Sequence, residues 1–60
     1  MLPQDPIMLL SYLNTKLRDE YTSFEELSRG LDLGDAEKES VIDKLRTVGY
    51  EYDESLNQFR

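Results

Sequence analysis

The sequence predicts a mainly α domain in which a three-helix core is followed by a C-terminal β-hairpin. Apolar residues recur at helical spacing in three segments up to Val48, and from Tyr50 onward they alternate as in a strand. We expect helices over about residues 6–20, 24–31 and 35–48 and a hairpin over about 50–59. A chain of 60 residues forms one small domain, residues 1–60, with a single thin core.

The first helix is predicted from its start signal and from its apolar spacing. Asp5 is suited to cap the helix with its carboxylate, and Pro6 suits the first helical position, where no N–H is needed. The side expected to face the core carries Leu10, Leu13, Leu17 and Tyr21, with Ile7 and Leu9 at its margins. Met8 and Tyr12 then project from nearly the opposite side.

The second helix is predicted to begin with a capping box. In that motif Ser23 accepts a hydrogen bond from the amide of Glu26, and the Glu26 side chain reaches back to the amide of Ser23. The helix is short and meets turn residues at 30–34, where Leu33 fills the corner. Its inward residues are expected to be Phe24, Leu27 and Leu31.

The third helix is predicted to begin at Gly34 or Asp35 and to end at a glycine cap. Its inward residues are expected to be Val41, Ile42, Leu45 and Val48. Gly49 supplies the left-handed conformation that closes many helices, which lets Tyr50 fold back on the core.

The hairpin is predicted from aromatic residues at alternate positions. Tyr50 and Tyr52 share one face, and Phe59 meets them across a turn over residues 53–57. Asn57 is the turn residue best able to adopt a positive φ. Because an isolated hairpin is marginal in water, its aromatic face must cover the helical core.

The spacing of leucines around the turn between the second and third helices resembles a reduced winged-helix domain. Leu-x-x-x-Leu precedes this turn and Leu-x-x-x-Gly-Tyr follows it, so the resemblance covers residues 24–59. It implies a helix-turn-helix fold, because the pattern reports which side chains fill a three-helix core. The sequence departs from the pattern in two ways: it has no room for a strand between helices one and two, and Lys38 lies on the apolar stripe.

At family level the chain resembles a group of short bacterial proteins of unknown function. The resemblance rests on Asp-Pro-Ile-Met-Leu-Leu-Ser at 5–11, Asn-Thr-Lys-Leu-Arg-Asp at 14–19, Gly-Tyr-Glu-Tyr-Asp at 49–53 and Asn-Gln-Phe at 57–59. It implies a stand-alone bacterial cytoplasmic domain and no particular activity.

The charge distribution disfavours binding to nucleic acid. Seven basic and thirteen acidic residues give a net charge of −6. A helix that reads DNA places its N-terminal residues near phosphates, whereas the segment from Asp35 to Asp43 carries four acids and one base, Lys38. The alternative function is nucleic-acid binding by a winged-helix protein. It would depend on a small basic patch formed by Lys16, Arg18, Arg29, Lys44 and Arg46.

The composition predicts that the protein is not an enzyme. The chain has no His and no Cys, and no Ser or Thr has a base at a readable spacing. Neighbouring acids such as Asp19 and Glu20 diverge on a helix, and the acids of residues 32–39 lack the spacing of a calcium loop. We expect no catalytic, cofactor-binding or metal-binding residue. The apolar run Ile7–Leu13 is too short to span a bilayer, so the expected location is the cytoplasm.

The leading hypothesis is a small acidic domain that acts as a protein–protein interaction or regulatory accessory module. The candidate partner contacts are Met8 and Tyr12 on helix one and Glu39 and Asp43 on helix three. The partner is an unknown protein or a second copy bound through helix one. An alternative left open is that the hairpin or Leu2 covers Met8 and Tyr12.

Overall fold

The computed structural model describes residues 2–60, so residue 1 of the expected domain lies outside the described residues. Within that range, the elements are α1 (Pro6–Asp19), α2 (Phe24–Gly30), α3 (Asp35–Thr47), β1 (Tyr52–Asp53) and β2 (Gln58–Phe59). The two strands pair antiparallel. The predicted fold class, a mainly helical three-helix core with a C-terminal hairpin, is confirmed.

The helix starts follow the predicted capping chemistry, with one difference. Asp5 Oδ2 accepts a hydrogen bond from the Met8 amide at 3.1 Å, and Ser23 Oγ accepts one from the Glu26 amide at 3.1 Å. The Glu26 carboxylate, however, accepts a hydrogen bond from Thr22 Oγ1 and not from the amide of Ser23. The second half of the predicted capping box is therefore wrong, because a neighbouring hydroxyl satisfies the glutamate.

The end of α3 has the predicted glycine cap. Gly49 has a φ of +90°, and its amide donates to the Arg46 carbonyl at 2.9 Å. The amide of Tyr50 donates to the Leu45 carbonyl at 2.9 Å. These two bonds form a Schellman motif, which satisfies carbonyls that the helix end would otherwise leave unpaired.

The end of α2 uses the same motif at a non-glycine residue. Asp32 occupies the left-handed position with a φ of +57°, and the Leu33 amide donates to the Ser28 carbonyl at 2.8 Å. Gly30 is consequently the last residue of the helix. A Cβ at Gly30 would clash with the Tyr21 ring, so this glycine makes room for the tyrosine.

The core lies where all three helices meet the hairpin. Its buried members are Leu9, Leu13, Leu17, Leu27, Val41, Leu45 and Phe59. The predicted core side of α1 is confirmed at Leu13 and Leu17, but the helix is rotated so that Leu9, expected at the margin, is buried and Leu10 is only partly buried. The Leu9 side adjoins Val41 of α3, whereas the Leu10 side adjoins the hairpin and is only half-buried.

One residue predicted to be in the core lies at the surface instead. Val48 is 38% exposed, because α3 ends at Thr47 and the chain turns away at Gly49. Ile42 of α3 is half-buried, as is Lys38 near the helix start, whose ammonium lies 3.8 Å from the Asp35 carboxylate.

The hairpin closes the core with an aromatic cluster, as predicted. Tyr52 pairs with Phe59 in the strand register, and the ring of Phe24 packs against both, with centroids 5.7 and 5.4 Å away. Asn57 has the predicted positive φ, at +52°. Tyr50 lies just before β1 and packs against the core.

Candidate interaction surfaces

The candidate contacts on α1 differ in exposure. Met8 is 63% exposed, whereas Tyr12 is half-buried and packs against the core. The ammonium of Lys16 lies 5.6 Å from the Tyr12 ring centroid and 2.6 Å from the Glu20 carboxylate. That hydrogen bond to Glu20 raises the pKa of Lys16. Met8 is therefore the more accessible member of the predicted pair.

The candidate contacts on α3 lie on a separate acidic surface. Glu39 and Asp43 are exposed and line an open groove of about 450 Å³ along the outer side of the helix. Asp43 lies 3.9 Å from Arg46 Nη1, an exposed ion pair of little energetic weight. Neither Met8 nor Tyr12 lines this groove. The four predicted contacts thus form two pairs on different helices.

A third surface, which the sequence interpretation did not identify, is an open groove of about 660 Å³ between α1 and the hairpin. We call it the α1–hairpin groove. Ile7 and Leu56 on its walls are 54% and 50% exposed. None of its lining residues is acidic; they are Ile7, Leu10, Ser11, Asn14, Thr15, Leu17, Arg18, Leu56, Asn57 and Gln58.

One wall of the groove is fixed by the side-chain amide of Asn14. Its Nδ2 donates to the Phe59 carbonyl at 3.1 Å, and its Oδ1 accepts from the Phe59 amide at 2.8 Å. The side chain therefore pairs with β2 as a neighbouring strand would, and both polar groups of the Phe59 backbone are satisfied.

The hairpin side of the groove is fixed by the side-chain amide of Asn57. Its Nδ2 donates to the carbonyls of Leu17 and Tyr21 at 3.1 and 3.0 Å, which gives hydrogen-bond partners to two carbonyls at the end of α1. Its Oδ1 accepts from the Tyr52 hydroxyl at 2.6 Å, and that hydroxyl accepts from the amide of Phe24 at 3.2 Å. One network thus links the hairpin to the end of α1 and the start of α2.

The hairpin turn beside the groove is stabilised by an aspartate. Asp53 Oδ1 accepts hydrogen bonds from the hydroxyl and the amide of Ser55 at 2.6 and 2.9 Å. The Ser55 hydroxyl is the main reason why the pKa of Asp53 lies below its ordinary value of 3.8. These bonds hold the turn that carries Leu56.

The one cation lining the groove is Arg18, whose side chain is 74% exposed. Its Nε and Nη2 donate to the two carboxylate oxygens of Asp19 at 2.9 and 3.1 Å. This pairing lowers the pKa of Asp19 and raises that of Arg18. The remaining nitrogen, Nη1, is not used in that pair and is free to bind a second carboxylate.

Across residues 2–60, no three His, Cys, Asp or Glu side chains are grouped so that they could hold a metal ion. None of the helices described here is long and apolar enough to span a membrane.

One known protein family matches nearly the whole chain. Residues 3–59 match the family described as Domain of unknown function (DUF4250). The chain belongs to this family. The DUF4250 match agrees with the expected resemblance to short proteins of unknown function, and its description names no activity to carry over to any residue. Comparisons with curated proteins and with solved structures gave no match.

Proposed function

We propose that this DUF4250 domain acts by binding another protein, as an interaction or regulatory accessory module, through the surface of α1. The observation that carries the proposal is the exposure of Ile7 and Met8, 54% and 63%, on one short helix. Exposed apolar side chains that lie close together favour association with a partner, because binding removes them from water. Bacterial origin and a cytoplasmic location, which the family resemblance implies, belong to the same proposal.

Charge supports a protein partner over nucleic acid. The acids Glu39 and Asp43 lie exposed on the helix that would enter a DNA groove. Of the bases that could form a phosphate-binding patch, Lys16 pairs with Glu20, Arg18 with Asp19 and Arg29 with Glu25. Phosphate binding would therefore have to compete with these neighbouring carboxylates and overcome a net charge of −6.

The proposal is tested by affinity capture with the full chain as bait, before and after nuclease treatment of the lysate. We expect a protein partner to remain bound after nuclease treatment and to be lost with Ile7→Asp, which places a charge among the exposed apolar residues of α1. Val48→Asp is the matched control, because it adds the same charge at an exposed apolar residue outside α1.

The alternative has its own test, fluorescence anisotropy with random duplex DNA at low salt. We expect no binding at micromolar protein. Micromolar, salt-sensitive binding would favour the nucleic-acid alternative, because affinity for phosphates falls steeply with salt.

A second copy of the chain is a candidate protein partner. Light scattering coupled to size exclusion, with wild type and Met8→Asp, measures the mass directly. A concentration-dependent dimer that Met8→Asp abolishes supports self-association through α1, and a monomer at all concentrations removes it.

A further inference from the structure

Resting on the proposed function, we infer that the α1–hairpin groove is the docking site and that its occupant is one amphipathic, acidic helix of a partner protein. The contact surface then shifts from the Met8 side of α1 to the Ile7 side. Three features of the groove carry this inference: its apolar walls, its closed backbone edge and its charge.

The apolar walls match the ridge of a helix. Ile7 and Leu10 lie one turn apart on α1, and Leu56 faces the groove from the hairpin turn. Ile7 and Leu56 are each at least half exposed. A helix that presents apolar residues at i, i+3 and i+4 fills a groove of this kind.

The backbone edge of the groove is closed to an added strand. Phe59 carries the outward-facing N–H and C=O groups of β2, since the flanking pair Glu51 and Arg60 exchanges both of its backbone bonds. Asn14 already binds both groups of Phe59. An extended peptide therefore finds no unpaired backbone group on β2 with which to extend the sheet. A helix, which binds through its side chains, needs no such group.

The charge of the groove selects an acidic occupant. The chain has thirteen acidic residues, yet none lines this groove, while Arg18 does. An approaching carboxylate meets no acidic lining residue here and can bind Arg18 Nη1, which the pair with Asp19 leaves unused. An acidic helix would be repelled by the surface around Glu39 and Asp43, so charge directs it to the groove.

Size argues against a second globular copy as the occupant. A standard interface buries about 800 Å² on each partner, which is about a fifth of the 4158 Å² surface of this chain. The groove is lined by ten residues, fewer than the roughly 20 that such an interface needs on each side. A single helix needs less area.

Photo-crosslinking in cells that express the full chain locates the occupant. We would place p-benzoylphenylalanine in turn at Thr15, at Met8 and at Glu39, which are all exposed. The expected result is a crosslink from Thr15 to a protein segment with apolar residues at helical spacing and several acids. We expect no such crosslink from Glu39.

The crosslinked segment is then synthesised as a labelled peptide and titrated with variants of the full chain. We expect Leu56→Asp to weaken binding by about tenfold, because it places a charge in the apolar wall. Arg18→Glu should weaken it by roughly fivefold, and Val48→Asp should leave it unchanged. Circular dichroism checks that each variant is folded.

The remaining outcomes separate the two proposals. A protein crosslink from Met8 and none from Thr15 overturns the groove but leaves protein binding intact. A crosslink from Thr15 to a second copy, or to a basic or extended segment, overturns the proposed occupant. Crosslinks to nucleic acid alone, or none from any position, overturn the groove and the proposed function together.

Discussion

The hairpin and the third helix are attached to the first helix by different kinds of contact. The hairpin packs the buried ring of Phe59 into the core and is also held by directional hydrogen bonds between the side chains of Asn14 and Asn57 and backbone groups. The third helix is held by apolar packing of Val41 and Leu45, and its described ion pairs lie at the surface with separations of 3.8 and 3.9 Å. Val41 and Leu45 belong to the same buried cluster as Leu13 of α1.

The difference shows which part of the surface has a fixed shape. Apolar packing is not directional and tolerates small shifts, whereas a partly buried amide with paired donors and acceptors fits one arrangement. The α1–hairpin groove is walled by Asn14 and Asn57, so its geometry is set before any partner binds. A preformed groove loses less entropy on binding than one that must be ordered.

The largest effect is expected for Asn57→Ala. The change removes three side-chain hydrogen bonds and leaves the Leu17 and Tyr21 carbonyls without this donor. We expect a loss of about 3 kcal/mol in the free energy of unfolding, at roughly 1 kcal/mol for each bond. This is comparable to the whole stability of a small domain. Urea unfolding followed by circular dichroism measures it.

The control is Asn57→Gly, which removes the same bonds but accepts the φ of +52° without strain. We expect it to be more stable than Asn57→Ala by about 1 kcal/mol, because a left-handed conformation disfavours alanine. Equal stability of the two variants would mean that the conformation at residue 57 contributes nothing.

A somewhat smaller effect is expected for Asn14→Ala. Both backbone groups of Phe59 lose their partner, and water must replace it at a half-buried position. We expect a loss of about 2 kcal/mol in the free energy of unfolding. Thr15→Ala is the matched control, since Thr15 is an exposed neighbour on the same helix. Similar losses in both variants would contradict a special role for the Asn14 amide.

The elements that the sequence predicted correctly are those with local signals. Asp5 with Pro6, Ser23 and Gly49 each mark a helix boundary through bonds to residues a few positions away. Alternating aromatic residues likewise located the hairpin, and Asn57 was identified from its turn chemistry. Such signals act within one element, so one sequence is enough to read them.

The features that could not be predicted depend on contacts between distant elements. Asn14 binds Phe59 across 45 positions, and no local pattern indicates that pairing. The rotation of α1 that buries Leu9 follows from where the hairpin and α3 pack. The groove was missed for the same reason, although Leu56, an apolar residue in a polar turn, was an available signal.

A third prediction concerns the hairpin turn, where the contribution of Asp53 to stability should depend on pH. Because the folded-state pKa of Asp53 is lowered, mainly by the Ser55 hydroxyl, its stabilising effect is present above its ordinary pKa of 3.8. That effect is lost as the pH falls through the lower folded-state pKa. We expect the stability difference between wild type and Asp53→Asn to shrink below about pH 4.

Thermal unfolding from neutral pH down to about pH 2 measures this dependence. Ser55→Ala serves as the control, because it removes the main hydrogen-bond donor and should weaken the same pH dependence. A difference between wild type and Asp53→Asn that stays constant with pH would contradict this role of the turn.

The smallest effect is expected at the start of the third helix, where Gly34→Ser should stabilise the protein. Gly34 is the N-cap of α3 but has no side chain to bind the first amides, and a Cβ there meets no atom within 4 Å. Its φ of −77° suits any residue. Serine should therefore add a few tenths of a kcal/mol to the free energy of unfolding, and Gly34→Ala, which lacks the hydroxyl, should not. If both substitutions stabilise equally, the gain comes from reduced backbone freedom in the unfolded chain, and a side-chain hydrogen bond at the N-cap of the third helix contributes nothing.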